Sequence, residues 1–299
     1  MRQPSVPSRR EFLAAALGAF AAGCAPGSDW VRSPRESGIA EVNGTRLYYE
    51  TAGSGEPVVL LHAFMLDTRM WDPQFEVLAG SFRVIAYDAR GFGRSAVPVP
   101  GEPYSHADDL AALLASLGAR RPHVVGLSMG ARFALDYAVA RPGELGSLTV
   151  INAVIGGWQW SPEWLTSYAP IVEAGRRGDI AGAKQLWLAH PMFAPAREKP
   201  EVAARLKAMV DDYSGWHLNH RNPERPPSPP TVTQLARIRV PTLVLIGDRD
   251  LPDFQRMAQS VEQDVAGARR VKVPTAGHLA NMETPEAVNA ALREFLARG

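Results

Sequence analysis

Residues 124–135 read VVGLSMGARFAL. A β-branched run, HVV at 123–125, leads into Gly126-Leu127-Ser128-Met129-Gly130, and a helical pattern, GARFALDYAVA, follows. A serine between two glycines at the junction of a strand and a helix has the pattern of a nucleophile elbow, G-x-S-x-G. The elbow forces its serine into a strained backbone conformation. Residues two before and two after the serine then crowd each other. Glycine is needed at both places, and Ala131 keeps the next position small. The serine also falls at a helix N-terminus, where free N–H groups and the helix dipole favour developing negative charge. An ordinary glycine-rich turn would show the same five letters, so the rest of the chain has to supply partners.

Around this stretch, apolar runs alternate with helical patterns. Asn43-Gly44 sits between alternating segments of Ile39 to Tyr49, a two-residue hairpin signal. Strands are expected at 58–61, 82–87, 123–125, 148–151, 242–246 and 270–273. Helices are expected at 68–79, 106–117, 129–140 and 284–297. The short continuous apolar runs suit strands buried on both faces. The reading is α/β: a mostly parallel, eight-stranded sheet with helices on both faces. Residues 154–230 break the rhythm. They carry five of the seven tryptophans and end in RNPERPPSPP. This stretch is expected to be an inserted helical cap between core segments 38–153 and 231–299. Trp158, Trp160 and Trp187 are the candidates for facing a substrate pocket, since a pocket needs only a few such side chains.

The chain has 299 residues, 46% of them hydrophobic, enough for one large core. With 32 Lys and Arg against 31 Asp and Glu, the formal charge is +1, which offers no basic excess for nucleic acid. There is one cysteine, so no intrachain disulfide forms and no cysteine-rich metal site exists. No feature sets an oligomeric state. At 7–27, PSRREFLAAALGAFAAGCAPG has an export-signal layout: Arg9 and Arg10, then an apolar segment too short to span a bilayer, then small residues. Ser8 to Leu13 resembles a twin-arginine signal, and Ala21-Ala22-Gly23-Cys24 resembles a lipobox. The reading is an export signal at 1–24, a lipid anchor at Cys24 as the only membrane contact, and a tether at 25–37. It places the protein in the periplasm or cell envelope.

Several motifs agree in order and spacing with one family. His62-Ala63-Phe64 looks like the H-G-x motif of α/β-hydrolases, with Ala63 where glycine is usual. MWDPQFEVLAGSFRVIAYDARGFGRS at 70–95 and GHLANMETPEAVNAALREFL at 277–296 are also similar. The likeness runs from about residue 39 to 299, leaving out most of the cap. The chain most resembles the esterase and 3-oxoadipate enol-lactonase-like branch, some members of which also lack that glycine.

The resemblance implies site residues. Ser128 is the nucleophile and needs a base to take its proton. The chain order Ser, Asp, His points to His278, in the loop after the last strand. His106, His190, His217 and His220 lie in helical or cap segments, where packing or surface roles are expected. His123 precedes a buried strand and is read as structural. The acid is Asp250 or Asp248. The fold's habit of placing it a few residues past the strand favours Asp250. Some relatives carry the acid after the preceding strand, where this chain has Asn152. The oxyanion donors are the N–H groups of Phe64 and Met129, with the Ala63 methyl expected to tilt the loop.

The implied activity is hydrolysis of a small-molecule carboxylic ester or lactone through an acyl-enzyme, with no metal and no organic cofactor. Cofactor-free haloperoxidases and C–C bond hydrolases use the same triad and stand as alternatives. A ligand-binding protein with little turnover is the alternative from another class.

Overall fold

The computed structural model describes residues 34–298. The export signal, Cys24 and most of the tether lie outside the described residues. Eight strands form one sheet: β1 (Glu36–Val42), β2 (Thr45–Ala52), β3 (Pro57–Leu61), β4 (Arg83–Tyr87), β5 (His123–Leu127), β6 (Ser147–Ile151), β7 (Thr242–Gly247) and β8 (Arg269–Val273). Their order is β1-β2-β4-β3-β5-β6-β7-β8. β2 runs antiparallel to β1 and β4, and every other pair is parallel. Asn43 and Gly44 both take positive φ, 46° and 66°, as a two-residue hairpin turn of the primed type requires. The inner strands β5, β6 and β7 are buried at every position, so both faces demand apolar side chains. β8 closes an edge and carries Arg269, Arg270 and Lys272, charges that discourage pairing with another strand.

Three helices interleave with the first six strands: α1 (Asp72–Ala79), α2 (His106–Ser116) and α3 (Met129–Ala140). Five lie between β6 and β7: α4 (Pro162–Arg176), α5 (Ile180–Ala189), α6 (Ala194–Arg197), α7 (Pro200–Asp212) and α8 (Trp216–Asn219). Three complete the chain: α9 (Pro252–Asp264), α10 (Ala280–Glu283) and α11 (Pro285–Leu296). Helix α3 packs on β5 and β6, α9 on β7 and β8, and α1 on β4 and α11. The helix expected at 68–79 divides in two. Asp67 caps a 3-10 turn over Thr68–Trp71, and α1 starts afresh at Asp72, with Pro73 in its first turn.

Because β3, β5, β6, β7 and β8 are parallel, their carboxyl ends share one edge of the sheet. The segments leaving that edge carry His62 to Phe64, Ser128, Asn152, Asp250 and His278. Ligands of open α/β sheets bind at such an edge.

Candidate active site

Ser128 occupies the single residue between β5 and α3, with φ 55° and ψ −112°, a region non-glycine residues rarely visit. Its N–H donates to Ile151 O at 3.0 Å. The two flanking glycines are steric necessities. A Cβ on Gly126 would lie 2.3 Å from Gly130 O, and one on Gly130 would lie 2.1 Å from Leu61 O, at the end of β3.

The Ser128 hydroxyl lies 2.9 Å from His278 Nε2, and His278 Nδ1 lies 2.9 Å from Asp250 Oδ2. An ionised carboxylate only accepts, so Nδ1 carries the proton and Nε2 accepts from Ser128. All three side chains are buried. Asp250 is itself held by donors: Leu251 N–H to Oδ1 at 2.8 Å and Asn152 Nδ2 to Oδ2 at 2.5 Å. Asp248, the other candidate acid, is exposed and makes no hydrogen bond to His278. Asn152, the alternative position for the acid, instead donates to Asp250. It also donates to Gly277 O at 3.0 Å, beside His278.

A buried carboxylate that sequence reasoning missed fixes the loop that carries His278. Glu283 accepts from Gly277 N–H at 2.5 Å and from Leu279 N–H at 3.0 Å, on either side of His278. Burial holds its carboxyl above the usual carboxylate range, against these two bonds and the nearby His278. Lys199 Nζ, in the cap, donates to the Glu283 carbonyl oxygen.

The expected oxyanion loop has its own logic. His62 Nε2 accepts from Ala89 N–H at 2.9 Å, so Nδ1 is the protonated nitrogen and donates to Ala63 O at 2.8 Å. In a trans peptide the carbonyl and the next N–H point to opposite sides. Anchoring Ala63 O therefore turns the Phe64 N–H away from His62. Ala63 is not among the positive-φ residues, so its methyl meets no backbone strain and the expected tilt has no conformational cause. Neither the Phe64 nor the Met129 N–H donates within the protein among the described residues. For Met129 that follows from its place in the first turn of α3.

Ser128 and His278 open into a cavity of about 480 Å³. Trp160 and Trp187 are in its wall, as the sequence suggests, together with Trp164 and Tyr168. Trp158 is not. It follows the turn at Ile155–Gly157, with its N–H on Ile155 O, and packs against the core before the cap helices begin. Gly157 holds that turn at φ 85°. The spacing 160, 164, 168 was a legible signal for the aromatic wall. Trp160 stacks on Trp164 at 4.5 Å, and Trp164 on Tyr168 at 5.7 Å.

His106 and His217 do pack, as expected, but they also line the cavity. His106 stacks on Phe133 at 3.7 Å and His217 on Phe92 at 4.4 Å. Burial keeps both neutral. It depresses His106 strongly and pushes His217 down to about 4. Arg132 and Glu224, which no motif marks, stand in the same wall. Among the described residues no group of three or more His, Cys, Asp or Glu side chains is placed to hold a metal ion.

A family model described as the alpha/beta hydrolase fold matches residues 56–285. Among solved structures, the enol-lactonase from Burkholderia xenovorans is 27% identical. It superposes with a TM-score of 0.74 over 87% of this chain and 100% of that one. A thermophilic esterase from Thermogutta terrifontis is 30% identical, with a TM-score of 0.70 over 89% of this chain and 99% of that one. A non-heme haloperoxidase of Rhodococcus erythropolis is 27% identical over 86% of this chain and 98% of its own length.

Proposed function

The chain belongs to the alpha/beta hydrolase fold family, and we propose that it is a serine hydrolase of small carboxylic esters or lactones. The observation that carries the reading is the unbroken run of hydrogen bonds from Ser128 Oγ through His278 to Asp250, at the foot of an aromatic-walled cavity.

Ser128 Oγ attacks the substrate carbonyl while His278 Nε2 takes its proton. Asp250 keeps the proton on Nδ1 and stabilises the imidazolium without accepting that proton. The N–H groups of Phe64 and Met129 receive the oxyanion, since neither has an acceptor among the described residues and both residues line the cavity with Ser128. His278 then protonates the leaving oxygen. Water, activated by the same nitrogen, cleaves the acyl-enzyme and regenerates Ser128. The aromatic residues at 160, 164, 168 and 187 suit an apolar part of the substrate, and the likeness to an enol-lactonase and an esterase supports this class of carbonyl.

Hydrolysis of p-nitrophenyl butyrate by the full chain tests the reading, beside Ser128→Ala and His278→Ala. Each variant is expected to lose on the order of 10⁵ to 10⁶ in kcat. Wild-type inactivity combined with no labelling of Ser128 by a fluorophosphonate would leave the binding-protein alternative. The perhydrolase alternative, which the likeness to a non-heme haloperoxidase keeps open, would show as halide oxidation with peroxide and an organic acid that Ser128→Ala also abolishes.

The proposal extends to location on sequence grounds: export by the twin-arginine route and a lipid on Cys24. Metabolic labelling with an alkynyl fatty acid should mark the wild type and not Cys24→Ser.

A further inference from the structure

The cavity wall is not uniformly apolar. Besides the tryptophans it carries Arg132, Glu224 and Asn222. Arg132 Nη1 lies 2.7 Å from Glu224 Oε1, and Nη2 donates to Oε2 at 3.0 Å, a bidentate pair. The two side chains are only 17% and 14% exposed. Arg132 Nη1 also reaches Asp136 Oδ2 at 3.4 Å, and Thr231 Oγ1 holds the other oxygen of Asp136 at 2.5 Å. Asn222 Nδ2 approaches Glu224 Oε2 at 3.4 Å, and Tyr104 OH donates to Asn222 Oδ1 at 3.0 Å.

Two arguments separate this pair from ordinary scaffolding. A desolvated ion pair is a poor stabiliser, and an apolar pair of similar size often does as well. The strap that carries Glu224 is also already tied down, because Arg225 N–H donates to Tyr104 O at 2.8 Å. The donor count then points outward. A guanidinium has five N–H groups; hydrogen bonds to Glu224 and Asp136 use two, and a third faces Glu224 Oε1, 2.7 Å from Nη1. Two have no acceptor among the described residues. Glu224 keeps lone pairs able to accept one more donor. The pair is electroneutral, and Asp136 behind it disfavours a ligand anion. Arg132 follows Ser128 by four residues on α3, an axial step of about 6 Å, and side chains on a helix lean back toward its N-terminus. That places the guanidinium several bonds from a carbonyl held at Ser128.

We propose that Arg132 and Glu224 form a recognition site for an uncharged group that both accepts and donates a hydrogen bond, a hydroxyl or secondary amide, carried four or more bonds from the scissile carbonyl. The inference rests on the hydrolase reading. The preferred substrates are then esters or lactones with a distal polar group, and neither simple alkyl esters nor dicarboxylic half-esters.

Two series of near-isosteric esters test it with the full chain. On the acyl side they are the p-nitrophenyl esters of 4-acetamidobutyric acid, heptanoic acid and hydrogen pimelate. On the alcohol side they are 2-acetamidoethyl and pentyl butyrate, followed by acid release. In at least one series the acetamido ester is expected to exceed its alkyl partner roughly tenfold to a hundredfold in kcat/KM, the size expected when a charged hydrogen-bonding site loses its partner. It should also exceed the pimelate half-ester. The double variant Arg132→Met/Glu224→Met removes both halves of the pair together, leaves Asp136 with its Thr231 Oγ1 donor, and should reverse the preference. Because the readout is a ratio within each protein, an overall loss of activity cancels.

A wild-type preference for the alkyl ester in both series, or for the anionic ester, overturns the inference. So does an acetamido preference that survives in the double variant. Turnover of p-nitrophenyl butyrate with no preference removes this inference alone. No turnover of any ester, butyrate included, removes the hydrolase reading and this inference with it.

Discussion

Replacing Asp250 by asparagine keeps the shape of the acid and changes one proton pattern. Every partner of the carboxylate is a donor: Leu251 N–H at 2.8 Å on Oδ1, then Asn152 Nδ2 at 2.5 Å and His278 Nδ1 at 2.9 Å on Oδ2. An amide offers one oxygen for these three donors. If the oxygen stays toward His278, the new NH₂ meets the Leu251 N–H head-on, at a cost of about 1–3 kcal/mol. The base then keeps its tautomer but loses the anion that stabilises its charged form, roughly 10² in rate if a charge-assisted bond is worth up to 3 kcal/mol. If the amide turns over, its NH₂ faces Nδ1. The proton must then move to Nε2, where it meets Ser128 and the base is lost, about 10⁴ in rate or 5.5 kcal/mol. That orientation also sets NH₂ against Asn152 Nδ2. Both orientations are opposed, so kcat/KM for p-nitrophenyl butyrate at pH 8 should fall between about 10² and 10⁴, with KM within about threefold. Asp248→Asn, on an exposed neighbour, should stay within about twofold, as surface substitutions usually do. A loss below tenfold for Asp250→Asn, or equal losses for the two variants, would refute the assignment of the acid.

Other outcomes follow from the same contacts. Gly130→Ala would press a methyl to 2.1 Å from Leu61 O, so the melting temperature should drop by roughly 4–10 °C and activity with it, read by calorimetry and ester hydrolysis. Glu283→Gln replaces a two-oxygen acceptor with one that must point an NH₂ at Gly277 or Leu279 N–H, and should lower kcat roughly tenfold or more while leaving KM little changed. Because burial raises the Glu283 carboxyl, the native state binds its proton more tightly than the unfolded chain. Stability from this group is full below the ordinary carboxylate value and declines as pH rises through the raised one, so the stability of Glu283→Gln relative to wild type should improve across that window in denaturant titrations. His190 and His217 are both pushed down to about 4, so they contribute stability above their usual value of about 6.5 that is lost as pH falls from there toward 4. His217→Gln should flatten the acid limb of a melting-temperature profile, and an unchanged limb would contradict the neutral assignment.

The fold was legible because its signals are local. β-Branched runs, the Asn43-Gly44 turn and the glycines around Ser128 each report a backbone demand within a few residues. Ser128 and His278 were legible for the same reason, since a motif surrounds each. Asn152, Glu283 and the Arg132–Glu224 pair were not. Asn152 acts on a carboxylate 98 residues away, and Arg132 meets Glu224 across 92. No short window holds both partners of such a contact. Trp158 failed for a related reason. Composition placed it with the other cap tryptophans, but it lies at the Gly157 turn ahead of the first cap helix and outside the cavity wall.

The residues that sequence reasoning missed share one physical office, which is to remove freedom from groups that the motifs do announce. Ser128 is fixed by its backbone, since φ 55° leaves the elbow few alternatives. His278 has no such device. Its ring is held by Asp250 on one nitrogen, while Glu283 anchors the peptide groups on both sides. Asp250 is in turn fixed by Asn152 and the Leu251 N–H. Misplacement of a reacting group by about 1 Å costs on the order of 10² in rate. A buried amide and a buried carboxylate that never touch substrate can therefore carry as much of the rate as an oxyanion donor. Their chemistry also differs in a testable way. Asn152 holds by a neutral donor and should act alike at any pH. Glu283 holds as an anion forced into a buried site, so its grip on the base loop weakens on acidification even while the fold gains from its protonation. The contributions of Glu283 to activity and to stability should thus run in opposite directions on acidification, read as the difference between wild type and Glu283→Gln at each pH, and Asn152→Ala should leave that difference in place.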